Sequence, residues 1–434
     1  MTARAIILSD VHLGPAGPLS VFEDDSPLAA FISKLAQEPS STELILGGDV
    51  FDFLQCPGYV GFDQRVAEER FLSIAASHTE VFQALATFAK RKGNEVTLLS
   101  GNHDPEVLLP VVRAAFEREI SRPGTVRYEQ PLCTGEEGRS LWGRGLCEDT
   151  VWVVHGDRGD SQNDIHREEI LRVGGTSLPA GSHLVFQVLS KLHPTKPWVY
   201  ELKPEFETVL PLLLYLDKDL TLSYLQEHYG LTLTMLRNLI LSKLSPESTL
   251  GTNQPKEAHT EVAEQLASAL SLGLSSLPQM QSELLLARLG RWPGPSFGSG
   301  AEPPTLASHD GVGRWLLRSW LSTVRRTERF LAEDEPDELY QKLRSLLPPR
   351  VQVLIAGHTH GPRAILHKVP AYFNSGTWIP IGKLPDGELE QVIDNLEAGQ
   401  PWTRTVPRTF VEVDIASRQV KLGRCDENGT ANLA

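Results

Sequence analysis

Short apolar runs alternate with amphipathic stretches over residues 1–159. Ala5–Leu8, Leu44–Leu46, Val96–Leu99 and Val151–Val154 each read as a buried strand. Between them, Leu28–Ala36 and Glu69–Lys90 carry apolar residues at helical spacing. Strands that alternate with helices predict an α/β sheet. The strand pattern returns at Val351–Ala356 and Tyr372–Phe373. Phe410–Ile415 and Gln419–Leu422 predict a hairpin that turns at Ile415–Arg418 and closes the sheet. Residues 160–349 differ: Leu184, Val188 and Leu192, then Leu236, Ile240 and Leu244, then Leu316, Trp320 and Val324 recur at i, i+4 helical spacing. The expected organisation is a core in two parts, 1–159 and 350–434, interrupted by a mostly α-helical insertion, 160–349, that serves as a cap.

Charge narrows the function classes. The 434 residues hold 41 Lys plus Arg against 55 Asp plus Glu, a net charge of −14, whereas general nucleic-acid and acidic-membrane binders depend on excess positive charge. The four cysteines are scattered and form no C-x-x-C pair, which leaves a disulfide framework or zinc knuckle without support. No apolar run approaches the ~18–20 residues of a membrane span, and the stretch before Ser9 is too short for a signal-peptide core. A cytoplasmic protein with no transmembrane segment is expected.

Five polar clusters follow the predicted strands: Ser9-Asp10-Val11-His12, Gly47-Gly48-Asp49-Val50-Phe51-Asp52, Gly101-Asn102-His103-Asp104, His155-Gly156-Asp157 and Gly357-His358-Thr359-His360. Ligands of open α/β sheets bind outside the carboxyl ends of the strands, so five clusters delivered there can converge on one site. Carboxylates, an asparagine carbonyl and imidazoles suit Mn²⁺, Fe or Zn²⁺ better than soft Cu(I). Asp10 with His12, and His358 with His360, are expected to point the same way, because alternate residues of a strand share a face. Seven such ligands, one carboxylate shared, suffice for two metals ~3.5–4 Å apart. Singly each cluster reads more readily as turn chemistry; the ordered set of five does not.

On these motifs the chain resembles the calcineurin-like metallophosphoesterases, over residues 3–159 and 350–380. The resemblance implies a sandwich of two mixed sheets flanked by helices, and hydrolysis of a phosphoester or pyrophosphate bond by a hydroxide bridging two divalent metals. Mn²⁺ is the first expectation, with Fe or Zn²⁺ as alternatives. Carried over position by position, Asp10, His12 and His360 hold one metal, Asn102, His155 and His358 hold the other, and Asp49 bridges them. His103 matches the catalytic histidine and Asp52 the carboxylate that orients it. Asp52 would keep the imidazole partly protonated, ready to supply a proton to the leaving oxygen.

Gly48–Phe53, Val154–Asp157 and Asn374–Trp378 are similar to the bacterial branch that includes UDP-diacylglucosamine pyrophosphohydrolases, although this insertion is larger and His103 stands where that branch commonly has Arg. A small nucleotide-linked or amphiphilic substrate is expected. A DNA-repair-type nuclease of the same superfamily is the alternative that Asp10–Gly14 and Gly101–Asp104 also fit, and a non-catalytic scaffold is the alternative from another class. Arg158 and Arg363 adjoin the motifs as candidate phosphate clamps. Asp160 and Asp164 follow His155-Gly156-Asp157 closely, and helix N-terminal charge explains them about as well as a role at the site. Arg314, Arg318, Arg325 and Arg329 share one helical face in the expected cap.

Overall fold

The computed structural model describes residues 2–134, 140–196, 198–202, 332–383 and 403–433, all of which fall in one compact unit. The predicted apolar runs divide between two mixed sheets. In the first, β1 (Arg4–Leu8), β2 (Thr42–Gly47), β3 (Glu95–Leu99) and β4 (Arg127–Tyr128) are parallel neighbours. The C-terminal hairpin, β13 (Thr409–Asp414) and β14 (Val420–Cys425), joins antiparallel to β1, and β15 (Ala431–Leu433) completes that edge.

The second sheet has a meander, β5 (Gln130–Thr134), β6 (Ser140–Leu146) and β7 (Val151–Val153). It continues through the parallel strands β8 (Val353–Ala356) and β10 (Ala371–Asn374) and ends on β9 (Arg363–Ile365). A small third ladder pairs β11 (Ile381–Lys383) with β12 (Thr403–Thr405).

Alternate residues explain the layering. Ala5, Ile7, Ile45, Leu99, Val411, Val413 and Leu422 of the first sheet meet Leu146, Val151, Val153, Ile355 and Phe373 of the second in one core. The opposite face of the second sheet, including Trp152, Leu354 and Tyr372, is covered by Leu339, Tyr340 and Leu343 of a helix over Glu338–Leu346. Both faces are thus buried, which is why these strands read as continuous apolar runs. The fold is α/β with two mixed sheets flanked by helices.

Helices α1 (Asp25–Gln37), α2 (Ala67–Ser77), α3 (Thr79–Lys90) and α4 (Pro110–Glu119) accompany the first sheet. Phe31 of α1 packs on Phe410 of β13, with ring centroids 4.9 Å apart. Phe51, from the loop after β2, is fully buried against Phe71, Phe82 and Phe116 of α2, α3 and α4. An apolar anchor therefore sits between the polar residues Asp49 and Asp52.

Two sequence expectations need correction. Glu69–Lys90 is not one helical run but two helices that part at His78. Its backbone leaves the helical region there (φ −121°), and its ring lies 2.7 Å from Asp25 Oδ1 and 2.6 Å from the Gly14 carbonyl. The stripe Leu184, Val188, Leu192 is displaced by a π turn over Val185–Leu189, whose wider turn brings Val185, Phe186 and Leu189 to the buried side. Residues 203–331, which hold the other two stripes and the arginine ridge, lie outside the described residues. Among the described residues no helix is long and apolar enough to cross a membrane.

Just after the Gly101–Asp104 cluster, the fully buried Glu106 accepts the Tyr59 hydroxyl at 3.0 Å, and burial pushes its carboxyl up to about 8. A carboxyl whose folded pKa is raised costs nothing below its ordinary value of 4.5 and destabilises increasingly as pH rises toward 8. Glu106→Gln should therefore match the parent near pH 4 and exceed it near pH 8, by on the order of a few kcal/mol. Urea unfolding at the two pH values checks this; an equal difference at both would refute it.

Candidate metal centre

The five clusters leave β1, β2 and β3 of the first sheet and β7 and β8 of the second at their carboxyl ends. The regular strands stop first: β1 ends at Leu8, before Asp10 and His12. Asp10 (φ 52°), His12 (φ 57°), Asp49 (φ 51°), His358 (φ 70°) and His360 (φ 61°) all have left-handed backbone. Each such conformation costs a non-glycine residue ~1–2 kcal/mol, and such strain collects at functional sites. Loop-to-loop hydrogen bonds hold it, among them Asp10 N–H to the Gly48 carbonyl at 3.1 Å and His12 N–H to the Asp49 carbonyl at 3.0 Å. Asp10 and His12 do meet in one group, as expected, but left-handed turns and not the pleat aim them, and the same kind of turn sends His358 and His360 to different groups.

Among the described residues three groups could hold a metal ion: Asp10, His12 and His360; Asp49, His155 and His358; and His12, Asp52 and His103, which shares His12 with the first. In the first, His12 Nε2 and His360 Nε2 face each other at 3.1 Å, and His360 Nε2 lies 3.3 Å from Asp10 Oδ1. In the second, His155 Nε2 lies 3.3 Å from Asp49 Oδ2 and 3.2 Å from Asn102 Oδ1. Asp52 Oδ2 lies 2.9 Å from His103 Nδ1 and also 3.0 Å from His12 Nδ1, so one carboxylate orients both imidazoles. The His103 N–H donates to Asp49 Oδ1 at 2.7 Å.

The loops are fixed by groups that sequence reasoning did not assign. Asp104 accepts the N–H groups of Asp49 (3.2 Å), Val50 (2.9 Å), Phe51 (3.2 Å) and Gly101 (2.6 Å), stapling the second cluster's loop to the third's. The loops then pack too closely for side chains. A Cβ at Gly48 would lie 2.6 Å from His155 Nδ1, and one at Gly101 would lie 2.6 Å from Asp49 N. Below Asp10, Ser9 bonds to its carboxylate and lies 2.6 Å from Ser375 Oγ, while the Thr377 hydroxyl donates to the Asp10 carbonyl at 2.6 Å. Asp157 is held by a two-pronged pair with buried Arg167, at 2.7 and 2.8 Å. The Asp-rich spacing alone could have flagged Asp104; Arg167 had no local signal.

Both candidate phosphate clamps are engaged with carboxylates. Arg363, 3% exposed, commits its guanidinium to Asp337 at 2.9 Å and to the Glu335 and Ala332 carbonyls. Arg158 pairs with Asp164 at 2.9 Å. Asp160, for which a role at the site is one of two expectations, lies 3.0 Å from His358 Nε2.

Electrostatics tests whether a cation fits. Burial alone would raise Asp10 and Asp52, but His360 brings Asp10 down to about 2, and His103 with His12 brings Asp52 down to about 2. Burial would lower His155, yet the Asp49 carboxylate raises it to about 10. The second cluster therefore demands positive charge. A proton on His155 Nε2 answers that demand. A cation in its place would leave the N–H on Nδ1, 3.2 Å from the Gly47 carbonyl, and a lone pair on Nε2 beside the Asp49 and Asn102 oxygens, an electron-pair donor set that fits a metal. No protein-family model and no curated protein matches this chain, so its chemistry is read from this geometry.

Two outcomes follow. Asp49→Asn should lose metal from the centre, and elemental analysis that still finds two metals per chain would refute a shared role for Asp49. Asp52→Asn should weaken Mn²⁺ binding by about 10–100-fold through His12; titration showing unchanged affinity would restrict Asp52 to His103.

Proposed function

We propose that the chain is a metal-dependent hydrolase of phosphoester or pyrophosphate bonds, acting on a small nucleotide-linked or amphiphilic substrate. The supporting observation is that two buried carboxylate–imidazole clusters share one strand-end edge with His103, an imidazole held by Asp52 and tied through its backbone to Asp49. Two divalent cations, Mn²⁺ before Fe or Zn²⁺, would supply hydroxide near neutral pH and offset phosphate charge.

The chain's own groups then divide the work. Asp10, His12 and His360 hold one ion, Asn102, His155 and His358 the other, and Asp49 serves both. Asp52, kept ionised by its two histidines, accepts from His103 Nδ1 and favours the imidazolium, so Nε2 is the atom that gives its proton to the leaving oxygen. The left-handed turns and the Asp104 staple set these groups before substrate arrives, which is how a site stabilises developing charge without reorganising.

Selectivity belongs to the surfaces around the phosphate. Residues 160–202 start beside the metals, with Asp160 at His358 and Ser182 donating to the Asn102 carbonyl at 3.3 Å. This favours a cap over the site, and the net charge of −14 favours a small substrate over long DNA.

His103→Ala preserves the backbone N–H that Asp49 accepts. It should retain its metals and lose about 10²–10⁴-fold in kcat on a chromogenic aryl phosphodiester with Mn²⁺. A loss of only a few-fold, with metals retained, would remove His103 from the chemistry. A metal-loaded parent inactive on aryl phosphates, phosphodiesters and nucleotide pyrophosphates alike would overturn the function.

A further inference from the structure

Asp160 belongs to none of the five motifs, yet its carboxylate reaches the second cluster. Oδ2 lies 3.0 Å from His358 Nε2 and accepts the Asn163 Nδ2–H at 2.8 Å, while Oδ1 accepts the Gln162 N–H at 2.9 Å. Asn163 Oδ1 accepts in turn from Asn102 Nδ2 at 3.4 Å. The result is an unbroken chain, His358–Asp160–Asn163–Asn102, whose two ends are side chains assigned to the second ion.

The chain has a direction, because a carboxylate only accepts and an amide has one accepting and one donating side. Asp160 takes a hydrogen from Asn163, so Asn163 turns its oxygen toward Asn102. Asn102 must then turn its NH₂ outward and its Oδ1 toward His155 Nε2, 3.2 Å away, where a cation would be held. At the other end the acceptor Asp160 places the proton of neutral His358 on Nε2 and leaves Nδ1 with the lone pair. Surrounding atoms are shaped to this path. A Cβ at Gly181 would collide with Asn163 Oδ1, and the Gly181 N–H donates to the Gln162 carbonyl at 2.8 Å. The Ser182 hydroxyl holds the Asn102 backbone from the same side.

We propose that Asp160 and Asn163 are positioning residues of the metal centre, which set the tautomer of His358 and the amide orientation of Asn102 and so tune the second ion selectively. This inference rests on the two-ion part of the proposed function. Groups that orient metal ligands in this way are worth about 10–100-fold in affinity.

The test titrates chelator-stripped full-length protein with Mn²⁺ and follows it by electron paramagnetic resonance, which distinguishes isolated from spin-coupled ions, beside thermal melts. The parent should bind two ions and develop the coupled signal. Asp160→Ala and Asn163→Ala should each weaken the second ion about 10–100-fold and lose the coupled signal. The affinity of the first ion and the melting temperature of the metal-free protein should stay at parent values. Asp160→Asn keeps an acceptor for His358 and should recover part of the lost affinity. Equal weakening of both ions, no weakening in either alanine variant, or Asp160→Asn no better than Asp160→Ala would overturn the proposal. Two ions bound as described in a protein that cleaves no phosphoester would support this inference while overturning the proposed reaction; a parent that binds one ion would overturn this inference.

Discussion

Burying carboxylates beside imidazoles is the constraint on which the rest of this structure turns. Asp10, Asp49 and Asp52 are withdrawn from water, and burial alone would raise the pKa of each. Neighbouring histidines keep all three ionised, and Asp49 in turn draws positive charge onto His155. Charges so placed are costly unless they are closely compensated, and removing one partner costs more than the pair was worth. The site is therefore held together by the same interactions that would let it take metal ions.

Those interactions also dictate the backbone. Five residues of the metal-capable groups are left-handed, and that conformation is sustained because hydrogen bonds between loops from different strands over-determine it. Asp104 contributes three of them with one side chain, and Phe51 fixes the same loop from its apolar side. The glycines at 48 and 101 are consequences of this crowding, since the loops approach to distances at which a Cβ would collide. Buried Arg167 extends the order outward: it binds Asp157, Ser100 and Glu129 and joins the end of β3 to the loop after β7.

The described start of the 160–349 segment is part of this arrangement. Asp160, Asn163 and Ser182 touch side chains or carbonyls of the second cluster, and the helix over Glu338–Leu346 covers the second sheet. A cap that selects substrate and a support that orients ligands are thus compatible roles for one length of chain.

Local chemistry in the sequence was enough to determine β1, β2, β3, β7, β8, β10, β13 and β14, but not the shorter edge strands, together with the alternation with helices and the polar clusters at the strand ends, because burial on both faces and glycine-punctuated strand ends leave marks within a few residues. Residue types such as Asp10, Asn102 and His360 likewise declare metal-compatible donors wherever they stand. Tertiary structure alone decided the parting of α2 and α3 at His78 and the register of the π turn at Val185–Leu189. It also decided that Asp52 holds two histidines and that Arg363 faces Asp337. Each of these depends on a partner tens or hundreds of residues away, and a side chain's direction in a left-handed turn follows from the loops that pin it, not from the period of its own strand.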